Sequence, residues 1–540
     1  MRAHLLACLF YLGSFLLNGG TAGAAGFGQN PVMPAYGLFP ANQFVLTSGD
    51  CRDCTALPQA LWYFRGETIA VPKPGVPLAG FEPALPVRED LAAWAKVSAI
   101  NGAIEFPPLI WLGAPDVVAG AQLAGDGRTL RSGGSEMVLQ LAPRLPLNSA
   151  WFDANSVAFF RGRTLKMRGN QQAEGFVART FWPQDFRIPE GPARSELAAD
   201  PAAFRDWIRA QPQGGARSSF VVESVWRRSD GSAPRAGQQV IGLMLNGAQG
   251  DDDEAHGGHF ALMTGRIGVQ GGIDDWLVNN FYTLDAESEK GIIAAPVPLD
   301  NYLGDLNSGQ AWYRPSYLLV ATLKDARSAA HLQSALGRLY NQFYRHQFAY
   351  QHARANCAGI SVTTARTLGW QVPARGPESW LQAIAGLPLV AAREASLTKG
   401  KATFDYLTED QTRLYPAAAF EEMGADLLRL ATGQADRPLS EFEQVLAGDI
   451  EEILLVRVPQ FPSSRAWGDW PVESSVEYTA RVPKNPTEQK IIPVPPRRFP
   501  DELRDPRSPP EPWLRSDYAV AAWALAIVVL FVFILRRLLA

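Results

Sequence analysis

Two short segments about a hundred residues apart carry the residue types that nucleophilic catalysis needs: Gly257-Gly258-His259-Phe260-Ala261-Leu262-Met263 and Asn356-Cys357-Ala358-Gly359-Ile360-Ser361. A cysteine attacks as its thiolate, and both a helix N-terminus and a neighbouring imidazole lower its pKa toward that form. The second segment reads as a helix beginning at Cys357, whose first backbone N–H groups would also hold a developing oxyanion. The first reads as a strand opened by His259, the preferred base. His256, three residues earlier in a glycine-rich loop, competes for that role, while His346 and His352 lie near the preceding helix and suit a solvated or helix-face role. A lone cysteine is more often a buried structural residue, so the pair acquires meaning only if folding brings sulfur and imidazole together.

A base needs a polar group to orient it. Asn279-Asn280 interrupts an apolar run on the next strand candidate, where a polar pair is costly unless hydrogen-bonded. Strand alternation sends the two to opposite faces and leaves open which one meets the histidine. Asn356 and the small residues Ala358-Gly359 suit a crowded turn where backbone approaches a substrate; Asn356, His256 and Gly258 are the expected binding positions. A competing chemistry lies in Asp251-Asp252-Asp253-Glu254, followed by His256 and His259, a density of oxygen and imidazole ligands that would suit calcium or zinc. A run of adjacent acids is more often a solvated loop, and no His-Glu-x-x-His framing accompanies it. No metal or other cofactor is therefore expected.

The elements around these residues are legible in outline. From 26 to 183 the chain is rich in Pro and Gly, with strand-length apolar runs at Leu109-Ile110-Trp111-Leu112, Met137 to Leu141, Val157-Ala158-Phe159-Phe160 and Phe176 to Arg179. A short helix is expected near Pro201 to Arg209. Strands are expected at Phe220 to Trp226, Val240 to Leu245, Trp276 to Leu284 and Tyr317 to Leu323, around the histidine. The pattern then turns helical, with Leu332, Ala335, Leu336, Leu339, Tyr340 and Phe343 on one face. The helix from Cys357 should bury Ile360, Thr364 and Leu368 and stop at Gly369. Another carries Phe420, Met423, Leu427 and Leu430 up to Gly433, and a capping box of Ser440 and Glu443 opens a last helix through Phe442, Val445, Leu446, Ile450 and Ile453.

The ends suggest export. Arg2, an apolar stretch from Leu5 to Leu17 and the small residues Ala22-Gly23-Ala24 form a secretory signal pattern, with cleavage after Ala24. Cys8 leaves with that signal, so Cys51, Cys54 and Cys357 remain, the first two a plausible local disulfide in an exported chain. Near the other end, 18 uncharged residues from Tyr518 to Leu535 precede Arg536 and Arg537, which reads as a membrane helix with the arginines in the cytoplasm. Ten prolines in the 30 residues from Pro483 to Pro512 predict an extended spacer before it. With 50 basic and 54 acidic residues and no basic stripe, nucleic acid is not an expected partner.

The segment from Val240 to Pro373 resembles the Lnb-like N-terminal periplasmic family, of the permuted papain-like superfamily that includes lecithin:retinol acyltransferase-like and NlpC-type proteins. The likeness rests on Gly258-His259-Phe260-Ala261-Leu262, Val278-Asn279-Asn280-Phe281, Glu289-Lys290-Gly291-Ile292, Tyr313-Arg314-Pro315-Ser316-Tyr317 and Asn356-Cys357, in that order. Histidine before cysteine is the order a circular permutation produces. The resemblance implies Cys357 as nucleophile, His259 as base and Asn280 as orienter, acting through an acyl-enzyme on an amide, ester or thioester. The chain departs from it at Ala358-Gly359, where a hydroxyl residue is expected.

The expected fold is α+β, a circularly permuted papain-like domain with a β-rich N-terminal domain, a helical C-terminal layer and one C-terminal transmembrane helix. The expected divisions are a signal peptide (1–24), a β-rich accessory domain (25–235), the catalytic domain (236–390), a helical support region (391–480), a Pro-rich linker (481–515) and the anchor with its tail (516–540). The protein would sit in the inner membrane with its body in the periplasm. Its expected partners are an envelope lipoprotein, lipid or peptidoglycan substrate, with a non-catalytic envelope-binding role as the rival.

Overall fold

The computed structural model describes residues 35–503 except 52–53, 99, 101–102, 145–151, 198, 213–217, 229–234, 249–252, 285–292, 308–313, 463–469 and 492–498. The N-terminal part begins with a three-stranded antiparallel sheet, β1 (Phe44–Ser48), β2 (Thr68–Pro72) and β3 (Ile110–Gly113), with helix α1 (Val87–Val97) between the last two. Cys51 and Cys54 are joined as a disulfide beside it. A barrel follows, made of β4 (Asp116–Leu123), β5 (Thr129–Ser132), β6 (Ser135–Leu141), β7 (Thr164–Gln172) and β8 (Gly175–Ala178). Its five strands close on themselves because β8 pairs with both β6 and β7. Between β6 and β7 lies helix α2 (Ala154–Phe160), over the run Val157 to Phe160 expected as a strand. The correction has a local cause: the Asp153 side chain accepts from the N–H groups of Asn155 and Ser156, capping a helix that a four-residue apolar run cannot distinguish from a strand.

The large sheet comprises β9 (Ala193–Arg194), β10 (Val221–Arg227), β11 (Gln239–Asn246), β12 (His259–Arg266), β13 (Leu277–Asn279), β14 (Pro296–Pro298), β15 (Ser316–Leu323) and β16 (Ile450–Val458), in the order β9-β10-β16-β15-β11-β12-β13-β14. β9 and β10, from the stretch assigned to the accessory domain, thus extend this sheet. Every residue of β15 is buried, so it reads as one apolar run without alternation. In β12, too, seven of eight residues are buried, because both faces are covered.

Helices α3 (Arg327–Tyr344), α4 (Cys357–Thr367), α5 (Trp380–Arg393), α6 (Leu397–Thr408), α7 (Pro416–Thr432) and α8 (Glu441–Asp449) follow in sequence. α3, α4 and α7 pack against β12. Gly433, at φ +69, ends α7, and the capping box of Ser440 and Glu443 opens α8 as expected. The region expected to be wholly helical nevertheless supplies β16, inserted between β10 and β15. Ile450 and Ile453 have helical spacing with Leu446, but Ile450–Val458 is buried along nearly its whole length, and a segment covered on both sides loses the period that marks it.

The expected fold class needs one further correction. Among the described residues no helix is long and apolar enough to cross a membrane. The architecture is therefore mixed α/β with several sheets, one of them a barrel, in place of a fold ending in a transmembrane helix; 516–540, like the signal segment 1–24, lies outside the described residues. Nor does the described part of the Pro-rich stretch stand away from the body. Phe499 is buried, its ring centroid 5.2 Å from that of Trp62 and 5.6 Å from that of Tyr63, and the Lys490 N–H donates to Asp253 at 2.8 Å. Leu455→Ala in β16 should cost about 2–5 kcal/mol, the usual range for emptying a buried leucine site. Urea denaturation measures it, and an unmoved midpoint would remove β16 from the sheet's interior.

Candidate functional site

His259 enters β12 from a tight turn. Gly258 has φ +68, and a Cβ there would lie 2.5 Å from Pro471 Cγ and 2.6 Å from the Asn246 carbonyl oxygen, so only glycine fits. The imidazole is buried, with Nε2 2.6 Å from Asn280 Oδ1. The Asn280 amide nitrogen in turn donates to the Ile293 carbonyl, which fixes the end of the amide that meets the ring. An amide oxygen only accepts, so Nε2 carries the ring proton and the neutral imidazole keeps its lone pair on Nδ1. The Tyr340 hydroxyl holds the Asn280 carbonyl at 2.9 Å.

The neighbouring asparagine points the other way, as alternation requires. Asn279 exchanges two 3.0 Å hydrogen bonds with Gln333 of α3, and Gln333 also accepts from Thr264 at 2.6 Å. On the histidine's side, the sheet register sets Asn246 of β11 opposite His259 and Ser316 of β15 opposite Asn246. Asn246 donates to Ser316 Oγ at 2.7 Å and accepts from the Tyr302 hydroxyl at 2.6 Å. Asn280, His259, Asn246 and Ser316 thus form a buried polar row along one end of four adjacent strands.

Cys357 is the first residue of α4. Asn356 is the helix cap: its Oδ1 accepts from the Gly359 N–H at 2.8 Å, and its Nδ2 donates to the carbonyls of His352 at 2.9 Å and Leu414 at 2.7 Å. Its side-chain polar atoms are thus engaged in the turn. The thiol is 3% exposed and meets the backbone N–H of Phe260, the residue after the histidine, together with the Tyr350 hydroxyl and its own neighbour's N–H at Ala358. α4 and β12 hence bring the sulfur to the His259-Phe260 peptide. Among the described residues no hydrogen bond joins the His259 ring to the sulfur; Nε2 is committed to Asn280.

Burial dominates the electrostatics. It pushes the Cys357 thiol above its usual 9.0, although the Phe260 N–H, the Tyr350 and Ala358 donors and the Arg314 guanidinium all pull the other way. Burial, aided by the positive charge of Arg314, also lowers the His259 imidazole to about 3, against the opposing effect of the hydrogen bond it donates to Asn280. At neutral pH the site therefore holds a protonated thiol and a neutral imidazole. The hydroxyls of Tyr302 and Tyr350 are pushed up by burial and remain donors.

No protein-family model, curated protein or solved structure matches this chain. The geometry therefore stands on its own. It brings together Cys357, His259, Asn280 and Gly258; His256 Nε2 lies 3.5 Å from Asp253 Oδ1. Among the described residues no group of three or more His, Cys, Asp or Glu is placed to hold a metal ion. Asp251 and Asp252 of the proposed acidic loop lie outside the described residues, as do Glu289-Lys290-Gly291-Ile292 and Tyr313. His346 Nε2 lies 2.8 Å from the Tyr63 hydroxyl.

Sequence reasoning did not assign roles to Arg314, Tyr350, Tyr302 or Asn246. An arginine two residues before the apolar strand at Ser316 is a readable anomaly; Tyr350 reaches the thiol from an irregular segment and leaves no periodic signal.

Two measurements check this picture. Alkylation of Cys357 by iodoacetamide, followed by peptide mass spectrometry, should accelerate with pH through and beyond 9, and Tyr350→Phe should push the midpoint higher; a plateau already reached at pH 7 would show a preformed ion pair instead. Because unfolded His259 takes a proton near 6.5 but the folded ring only near 3, its contribution is complete above 6.5 and is lost as pH falls toward 3. Between pH 7 and 5 the loss should be about 2 kcal/mol, read from urea midpoints, and smaller in His259→Asn. Equal losses in the two proteins would place the ring in contact with solvent.

Proposed function

We propose that the protein is an exported thiol hydrolase or acyltransferase in which Cys357, His259 and Asn280 form the reacting centre, as the resemblance to the Lnb-like family implies. The observation that carries this reading is the 2.6 Å bond between His259 Nε2 and Asn280 Oδ1, beside a sulfur held at the N-terminus of α4 against the Phe260 N–H. The bond leaves Nδ1 with the lone pair that a base requires. As the sulfur adds to a carbonyl carbon, its proton passes to Nδ1, the C–S bond forms and the carbonyl electron pair moves to oxygen. Collapse expels the amine, alcohol or thiol, which takes the proton from the imidazolium and leaves a thioester. Water or an acceptor nucleophile then releases the acyl group by the reverse sequence.

A resting pair without charge suits this course, because the imidazolium arises only together with the oxyanion that balances it. The helix start supplies N–H donors for that oxygen. The substrate would be an amide, ester or thioester of the cell envelope, in a lipoprotein, lipid or peptidoglycan peptide. The Cys51–Cys54 disulfide supports an oxidising compartment such as the periplasm.

A second reading is favoured by the buried, protonated thiol: the papain-like unit as a scaffold for envelope binding. Incubation with a p-nitrophenyl ester separates the two. An enzyme should release a burst of nitrophenolate and carry the acyl mass on Cys357. Cys357→Ala should abolish both, and His259→Ala should slow acylation by about 10²–10⁴-fold. Acylation that is absent, or indifferent to His259, leaves the scaffold.

A further inference from the structure

The chain beyond β16 returns across the end of the large sheet that carries the reacting row. Trp470 packs on Tyr317, the residue after Ser316 in β15, with ring centroids 5.4 Å apart. Pro471 lies against Gly258, and the Val472 N–H donates to the His256 carbonyl at 3.0 Å. The root of this crossing is firm: Val472 is buried, Glu473 pairs with Arg209 and Arg375, and Ser475 donates twice to Glu378. Beyond it the hold changes. Residues 475–491 are all described and none is buried, although they include a helix, Ser475–Arg481.

This arm is pinned at two places. Asp253 and Lys490 exchange hydrogen bonds, the Asp253 N–H donating to the Lys490 carbonyl at 2.9 Å and the Lys490 N–H to the Asp253 carboxylate at 2.8 Å. Farther on, Phe499 is buried among Trp62, Tyr63 and His346, its ring centroid 4.6 Å from that of the imidazole. The two pins meet the two segments that lead to the reacting groups. The first holds the turn that runs through His256 and Gly258 into His259 and Phe260, whose N–H meets the sulfur. The second holds the start of the irregular stretch 345–356, which carries Tyr350 to the sulfur and leads directly into Cys357. His346 has φ +58, a conformation that a non-glycine residue keeps only where its surroundings fix it, and Phe499 and Tyr63 supply that hold.

We propose that the arm 476–490, latched by Phe499, is a releasable strap: docked, it keeps Cys357 closed to solvent, and its release opens the site to substrate. The inference rests on Cys357 as the reacting group and names what regulates its exposure. The thiol is 3% exposed, so a reagent or substrate reaches it only through an opening motion. Such motions draw on elements with few buried contacts, and an arm with no buried residue over 475–491 is one of them. Opening at the latch also frees His346 from the packing that holds its backbone, which loosens the stretch bearing Tyr350.

Iodoacetamide at about pH 8 and peptide mass spectrometry on the full chain measure the exposure of Cys357 without any catalysis. Phe499→Ala should raise the alkylation rate about tenfold or more, and Phe499→Leu, which keeps apolar bulk in the latch, should fall between it and the unaltered chain. Lys490→Pro, at an exposed position, removes the N–H donated to Asp253 and should accelerate alkylation several-fold with an unmoved urea midpoint. Met167→Ala, which empties a buried site in β7 of the barrel, should leave the rate as it is. Unchanged rates in Phe499→Ala and Lys490→Pro would overturn the proposal, as would an equal acceleration in Met167→Ala, which would tie exposure to global unfolding. Strap-dependent alkylation in a protein that never acylates Cys357 would retain the strap and remove the enzyme; acylation with strap-independent alkylation would do the reverse.

Discussion

A buried imidazole must commit its ring proton, and here it is committed to Asn280. That single bond decides the tautomer, leaves the lone pair on Nδ1 and orients a ring that has no solvent to orient it. It depends on further constraints, because an amide that can rotate would offer the ring either an acceptor or a donor. The Ile293 carbonyl takes the Asn280 N–H and the Tyr340 hydroxyl holds its backbone, so the amide has one orientation. Asn246, Ser316 and Tyr302 satisfy one another along the same row. Such a row is tolerable in an apolar interior only when its members are paired; an unpaired member would cost more than its pairing contributes.

The sulfur side is a contest between burial and donors. A helix N-terminus, two N–H groups, a tyrosine hydroxyl and a guanidinium all favour the thiolate, yet the absence of water outweighs them. The same absence lowers His259, so both groups of the pair are held neutral. Low polarity makes each isolated charge costly and each matched pair of charges strong, which favours a reaction that creates opposite charges together. Arg314 takes part in both halves of this balance: it favours the thiolate and disfavours the imidazolium.

Local signals served well where structure is local. The helix starting at Cys357, the stop at Gly433, the capping box at Ser440 and the strands around His259 follow from caps, glycine and apolar runs within a few residues. Failures came where cover arrives from elsewhere in the chain. The run at Val157 became a helix through the Asp153 cap, and Ile450–Val458 became an interior strand because β10 and β15 enclose it. Phe499 is held against Trp62 and Tyr63 although its prolines suggest a free spacer. In each case the deciding neighbours are invisible to a window of adjacent residues.

By itself the sequence determined the inventory of the site: a cysteine at a helix start, a histidine at a strand start and an asparagine pair on the next strand candidate. It also determined that the two asparagines face opposite ways, because the pleat alternates. Only the tertiary structure decided that Asn280 meets His259 while Asn279 serves Gln333, since that choice depends on which face α3 covers. It alone set His256 beside Asp253 and brought Arg314 and Tyr350 to the thiol. Ionisation was decided at the same level, because the charge a residue carries depends on the water that surrounding elements exclude.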